Sequence, residues 1–140
     1  MKYRFDAYHV LPDSPQMQRD FLFALASLEA MLPDDPMAQE VVRIARQNQI
    51  LPVSVSGFQY FEGRGLGGLV TLPDENRPRP ILIGSREFFE ESGFHIPAIL
   101  EVTARKWETE PGSKIALCGW DSWVRGVLKF VRRDASSSKN

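Results

Sequence analysis

The chain is poor in residues that build metal sites and nucleophilic active sites. It has one cysteine, Cys118, and two histidines, His9 and His95, among 140 residues. A single cysteine excludes an internal disulfide and a thiolate-rich zinc site, and histidines so far apart in sequence give little support to a metal centre. The histidines lack obvious acidic partners, and the cysteine falls in a predicted strand. We therefore expect neither a metal centre nor a Ser/His/Asp or Cys/His catalytic set.

The chain also lacks an excess of charge and any long apolar run. Its 17 basic and 18 acidic residues give a net charge of −1 and a pI near 6.1. Without a basic footprint, we expect no nucleic-acid partner and no direct contact with a membrane. No apolar run approaches the roughly 20 residues that cross a bilayer, and the first eight residues alternate in polarity. These features predict a reduced, cytoplasmic domain.

The composition is that of a folded globular protein. Hydrophobic residues make up 43% of the chain and charged residues 25%, which is the ordinary globular range. A chain of this length buries roughly two-thirds of the surface that its unfolded form exposes, so it needs no disulfides to hold a core. We predict a single domain over residues 1–131 and a disordered polar tail over residues 132–140.

Hydrophobic periodicity and capping residues predict the secondary structure. Period-two alternation indicates a strand over residues 2–10, and a three-to-four-residue apolar period indicates a helix over 15–32 that begins after Ser14. A second helix begins at Pro36, where an aspartate can cap it, and ends near Asn48, so that the two helices form a hairpin. The remaining predicted elements are a β-hairpin at 53–60 and 66–72, a strand at 81–83, helices at 86–92 and from 97, and a closing hairpin at 114–119 and 123–130.

This order of elements predicts the fold class. Strands joined by short turns are antiparallel, and two pairs of helices interrupt the strands. We predict an α/β protein of the α+β type: a mostly antiparallel sheet of about six strands flanked by two helical hairpins.

Three segments are candidates for binding, although each has a plain structural interpretation. The glycines of residues 63–68 permit a ligand to approach the backbone, but they also suit a tight turn. Gly84 and Ser85 lie where a strand meets a helix N-terminus, which favours polar ligand groups but is common without any ligand. Glu29 could accept a hydrogen bond from an exocyclic amine, or it could simply be solvated. The aspartate at position 35, just before Pro36, is explained by helix capping at least as well as by a binding role.

Four segments, taken in order, resemble the nucleotide-binding domain, or N-domain, of heavy-metal-transporting P-type ATPases. Residues 22–40 resemble the family's helix and glutamate followed by Ser-Glu-His-Pro-Leu-Ala. Residues 61–67, FEGRGLG, resemble its Pro-Gly-x-Gly-hydrophobic-Gly segment, and residues 81–86, ILIGSR, its strand ending in Gly-Asn-Arg. Residues 114–128 resemble its closing hairpin. The resemblance covers nearly the whole chain.

The resemblance implies a ligand, a partner and a set of site residues. In the family this domain holds ATP and presents the γ-phosphate to an aspartate on a separate phosphorylation domain. The implied ligand is therefore ATP or another adenine nucleotide, with Mg²⁺ at its phosphates, and the implied partner is that phosphorylation domain. The phosphorylated Asp-Lys-Thr-Gly-Thr segment is absent, so the implied site is not catalytic alone. The implied nucleotide-binding residues are Glu29, Asp35, Gly63, Gly65, Leu66, Gly84 and Ser85.

Departures from the family pattern keep a second hypothesis open. Asp35 stands where the family has the histidine before proline, and a carboxylate cannot stack on a purine. Loss of base stacking, worth about 1–3 kcal/mol, would weaken binding about fivefold to 160-fold. Glu62 replaces a proline and Ser85 an asparagine. The alternative is a degenerate N-domain-like module that no longer binds nucleotide and acts in protein interaction or regulation; an independent small enzyme is the least favoured hypothesis.

The nucleotide hypothesis depends on one geometric expectation. Glu29, the tip at Gly63 and Gly65, and the corner at Gly84 and Ser85 must meet around a single pocket. The transported ion, and whether the chain is an excised domain or a free-standing protein, are not encoded in these residues.

Overall fold

The computed structural model describes residues 2–133. It contains six strands and four helices within that range. In chain order they are β1 Lys2–Val10, α1 Pro15–Glu29, α2 Pro36–Gln47, β2 Ser56–Phe61, β3 Gly65–Thr71, β4 Pro78–Gly84, α3 Arg86–Glu91, α4 Ala98–Glu108, β5 Ser113–Trp120 and β6 Trp123–Arg133.

The six strands form one sheet in the order β1-β6-β5-β4-β3-β2. Every pair of neighbouring strands is antiparallel, so the predicted fold class is confirmed. The strands β1 and β2 are the two edges, and β4 lies between β3 and β5.

The two helix pairs cover opposite faces of the sheet. Side chains alternate along a strand, and on β5 Cys118 belongs to the larger apolar core while its neighbour Leu117 belongs to the smaller one. The larger core contains Leu25 of α1 and Val41 of α2, and the smaller one contains residues of α3 and α4. The sheet therefore separates a layer made by α1 and α2 from a layer made by α3 and α4.

The predicted helix starts are confirmed by their caps. The Ser14 hydroxyl accepts a hydrogen bond from the Met17 amide at 3.1 Å, and α1 begins at Pro15. Helix α1 ends at Glu29, three residues before the predicted end, since Pro33 has no amide proton and disfavours a helical conformation at the residue before it. Helix α4 begins at Ala98, one residue after the predicted start, and the extended Pro97 is its N-cap.

Two strands begin away from their predicted positions. Strand β2 begins at Ser56 rather than at residue 53, because the Val53 amide donates to the Ser27 hydroxyl at 3.2 Å instead of to a strand. Strand β4 extends back to Pro78. Its two prolines are tolerated there because β5 pairs with β4 only from Ile81 onward, which leaves the proline segment with one partner strand.

The C-terminal strand runs past the predicted end of the domain. Strand β6 continues to Arg133, two residues beyond the boundary at residue 131, and it pairs with β1 from Gly126 to Arg133. The rest of the predicted tail, residues 134–140, lies outside the described residues. Within residues 2–133, no helix combines the length and the apolar character needed to cross a bilayer.

Candidate functional site

One cleft gathers all the residues that the sequence predicted for a site. It has a volume of about 290 Å³, and it lies on the α1/α2 face of the sheet, where α1 ends and α2 begins. Its lining includes the seven predicted residues Glu29, Asp35, Gly63, Gly65, Leu66, Gly84 and Ser85. The predicted convergence of three distant segments is therefore seen, while a role for these residues in nucleotide binding stays a prediction.

Strand pairing brings two of the three segments together. Gly65 of β3 stands directly opposite Gly84 of β4, and Leu66 stands opposite Ile83. The Ser85 amide also donates to the Arg64 carbonyl at 3.1 Å. The tip of the β2–β3 hairpin and the end of β4 therefore form one continuous wall of the cleft.

Helix α1 brings the third segment over this wall. Its apolar side, which includes Leu25 and Leu28, is fully buried in the core shared with β3. Glu29 is the last residue of the helix, so its carboxyl stands at the edge of that core, above the cleft.

Steric crowding requires glycine at two positions of the cleft, Gly65 and Gly84. A side chain at Gly65 would meet the Ile83 carbonyl oxygen at 2.0 Å, and one at Gly84 would meet the Arg64 carbonyl oxygen at 2.4 Å. Both would also approach the Phe88 ring within 3 Å, on the face of the sheet away from the cleft. Close packing of the two strands against α3 therefore requires these glycines, and they line the cleft with backbone atoms only.

Gly63 differs from the other two glycines. A side chain there would meet nothing within 4 Å, but its φ of +75° lies in the left-handed region. Glycine adopts this conformation without steric cost. The turn between β2 and β3, rather than crowding, explains this residue.

Glu29 is a partly buried acid with no hydrogen-bond or ion-pair partner among residues 2–133. Burial, followed by repulsion from Asp35, raises its pKa from 4.5 to about 8. Among residues 2–133, no group donates a hydrogen bond to its carboxyl and no cation pairs with it. With that pKa, about nine in ten carboxyls are protonated at pH 7. The group then presents a hydroxyl donor and a carbonyl acceptor to the cleft.

Asp35 lines the cleft, but its carboxylate caps the N-terminus of α2. Its Oδ1 accepts hydrogen bonds from the amides of Met37 at 2.9 Å and Ala38 at 3.4 Å. A carboxylate at this position is stabilised by the free amides and by the positive end of the helix dipole. The predicted capping role of Asp35 is therefore confirmed.

Ser85 has a similar local role at the other wall. Its hydroxyl accepts from the Phe88 amide at 3.1 Å and caps α3. Because α3 is only six residues long, its N-terminus alone gives little electrostatic attraction for an anion.

Tyr60 and Lys114 are among the side chains lining the cleft that sequence reasoning missed. Tyr60 stands opposite Leu66, so counting residues back from the glycine tip could have placed it on the same face. Lys114 is the second residue of β5 and has no carboxylate within ion-pair distance in the described part of the chain. Its place beside the cleft follows from the strand order β4–β5, which no local pattern predicts.

A larger hollow elsewhere has less to offer a ligand. It has a volume of about 700 Å³ and lies over the loop at residues 74–80, with Asp121 on its border. Arg79 is held there by Glu75 at 2.6 Å and by Asp121, so its charge is already neutralised. Within residues 2–133, no group of three or more His, Cys, Asp and Glu side chains is placed to hold a metal ion.

Comparisons with known proteins give one curated relative and several solved structures. The chain is 29% identical over 123 residues to a copper-exporting P-type ATPase of Vibrio cholerae. The match covers 88% of this chain and 12% of the relative, so the chain spans only a small part of that protein. No family model matches the chain.

The solved structures share the fold across almost the whole chain. A zinc-transporting PIB-type ATPase in the E2.Pi state aligns with a TM-score of 0.71 and 18% identity, over 99% of this chain and 20% of that one. The N-domain of HMA6, a copper-transporting P-type ATPase, aligns with a TM-score of 0.67 and 15% identity, over 93% of this chain and 99% of that domain. The chain therefore has the fold of an N-domain of a heavy-metal P-type ATPase, and the resemblance predicted from its sequence is confirmed.

Proposed function

We propose that this chain binds ATP, with the adenine in the cleft and the phosphates outside it. The observation that supports the proposal is the meeting of Glu29, the Gly63–Gly65 tip and the Gly84–Ser85 corner around one cleft in a fold shared with N-domains. The cleft volume of about 290 Å³ lies at the lower end of the range of about 300–1,000 Å³ typical of ligand pockets. Such a space suits a planar base better than a whole nucleotide.

Glu29 is the residue that would recognise the base. As a neutral acid, its hydroxyl donates to N1 of adenine, while its carbonyl oxygen accepts a hydrogen from the N6 amino group. Both bonds form in a partly buried site, where hydrogen bonds are stronger than in water. Leu66, which is 5% exposed, supplies an apolar surface beneath the base.

The phosphates would leave the cleft on the side of β5. Lys114 lines that side and provides a positive charge for them. Mg²⁺ would arrive with the phosphates, since the described residues offer no metal site of their own. The phosphates would then face the phosphorylation domain of a larger pump, on the cytoplasmic side of a membrane, with an aspartate of that domain as phosphoryl acceptor.

The role of Asp35 as the N-cap of α2 supports an alternative to nucleotide binding. Because its carboxylate is bound to backbone amides, position 35 offers no planar ring to the base and adds negative charge beside it. A degenerate module that has lost nucleotide and serves in protein interaction or regulation is the second candidate. The same binding experiment decides between the two.

The experiment compares adenosine and ATP binding by calorimetry for the wild type, Glu29→Gln and Glu29→Ala. The amide of Gln presents the same donor and acceptor pair as a neutral acid, so we expect Glu29→Gln to bind as the wild type does and Glu29→Ala to bind more weakly. Glu90→Gln, on the exposed face of α3, is the matched control and should leave binding unchanged. Failure of the folded wild type to bind either ligand would reject the proposal in favour of the degenerate module.

A further inference from the structure

Tyr60 places an aromatic ring at the open side of the cleft. It lies on the edge strand β2 and is 60% exposed, although it lines the cleft with Glu29 and Asp35. It also borders a neighbouring hollow of about 510 Å³ formed by residues 31–35. The ring therefore stands between the end of α1 and the solvent.

The strand register fixes the direction of this side chain. Tyr60 pairs with Leu66, Leu66 with Ile83, and Ile83 with Cys118. Residues directly opposite each other in neighbouring antiparallel strands point to the same face, with Cβ atoms about 4.5–5.5 Å apart. Tyr60 is thus the exposed end of a row whose next two members are 5% and 3% exposed.

No interaction within the protein accounts for the ring. In the described part of the chain, Tyr60 makes no hydrogen bond and no ring contact. Its neighbour Phe61, on the other face of the sheet, packs against Phe88 with ring centroids 5.0 Å apart. The core therefore explains the aromatic residue at position 61 but not the one at position 60.

We propose that Tyr60 is the stacking platform for the base of the bound nucleotide, an inference that rests on the proposed function. Asp35 cannot stack, so a ring supplied from the opposite wall provides the planar contact that the site otherwise lacks. A base that pairs with Glu29 and lies above Leu66 is within reach of the Tyr60 ring. Stacking on an aromatic side chain strengthens base binding about tenfold to a hundredfold.

The test measures binding of adenosine, ATP and inorganic tripolyphosphate to the wild type, Tyr60→Phe and Tyr60→Ala. We expect Tyr60→Ala to lose about tenfold to a hundredfold in affinity for adenosine and ATP, with tripolyphosphate binding unchanged. Tyr60→Phe keeps the ring and should match the wild type. The matched control is Trp123→Ala, which removes a 48% exposed aromatic residue of the same sheet away from the cleft, and it should change nothing. On adding adenosine, the ring proton signals of Tyr60 should move upfield.

Each other result overturns the inference in a recognisable way. Wild-type affinity for adenosine in Tyr60→Ala would show that the ring is not used, while leaving the proposed function intact. An equal loss in Tyr60→Phe and Tyr60→Ala would assign the effect to the hydroxyl rather than to stacking. Absence of adenosine and ATP binding in the folded wild type would reject the proposed function and the role of Tyr60 together.

Discussion

Replacement of Glu29 by glutamine should make the protein more stable at neutral and alkaline pH. The folded state holds the carboxyl in its protonated form because burial and the neighbouring Asp35 raise its pKa to about 8. In the unfolded chain the same group ionises near 4.5, its ordinary value. The folded protein must therefore retain a proton that the unfolded chain releases, whereas glutamine has no proton to release.

The size of the effect follows from the two pKa values. The stability linked to Glu29 is complete below about pH 4.5 and is lost as the pH rises to the folded pKa of about 8. The loss is about 1.4 kcal/mol for each pH unit in that interval and amounts to roughly 5 kcal/mol over the whole of it. This is a large fraction of the 5–15 kcal/mol by which domains are usually stable.

Urea unfolding of the wild type and Glu29→Gln at about pH 5, 6, 7, 8 and 9 measures the effect. We expect the difference in unfolding free energy to move in favour of the variant by about 1.4 kcal/mol per pH unit up to about pH 8, and then to level off. Other titrating groups contribute equally to both proteins. The exception is the buried Cys118 thiol, whose pKa is raised well above 9.0 by burial and then by the charge of Glu29.

A flat difference across this pH range would refute the reasoning, because it would mean that Glu29 is ionised in the folded protein. Glu90→Gln removes an exposed carboxyl and should give such a flat difference as a control. A difference that levels off well below pH 8 would indicate a smaller rise of the Glu29 pKa than burial implies.

Three further predictions concern single residues of the fold. Gly65→Ala should lower the free energy of unfolding in urea by about 3 kcal/mol or more, because the alanine side chain would meet the backbone. Gly63→Ala should lower it by only about 1–2 kcal/mol, because of the positive φ at that position. Equal losses in the two variants would contradict the packing argument. Asp35→Ala should lower the free energy of unfolding by about 1 kcal/mol, and Asp35→Asn by much less, since asparagine also caps helices. Similar losses of stability in the two variants, measured by thermal unfolding, would exclude a capping role. The Cys118 thiol, buried with a raised pKa, should react with a thiol reagent only in urea, and rapid reaction of the native protein would contradict its burial.

The elements that the sequence predicts well are those with local signals. Ser14, Asp35 and Ser85 cap the helices that follow them, and a cap involves only residues two or three positions apart. The start of β2 was predicted wrongly because the Val53 amide bonds to Ser27, a residue far away in the chain. Long-range hydrogen bonds of this kind cannot be predicted from a local hydrophobic pattern.

The candidate site also contains some residues that local patterns predict and others whose places depend on long-range packing. The residues found from motifs do line one cleft, but the packing of strands and helix that requires glycine at positions 65 and 84 could not be predicted from the motifs. Tyr60 and Lys114 were missed because their places depend on cross-strand register and strand order. The raised pKa of Glu29 likewise depends on burial, which follows from how α1 packs on the sheet.

The central claim is that the three segments around the cleft hold a nucleotide, and an amide chemical-shift titration of the labelled protein with ATP tests it most directly. The account predicts that the backbone amide signals of Gly63, Gly65, Gly84 and Ser85 shift at millimolar or lower ATP. The amide signals of helix α4 should stay in place. The account is contradicted if these four signals remain still in a protein whose spectrum shows an intact fold.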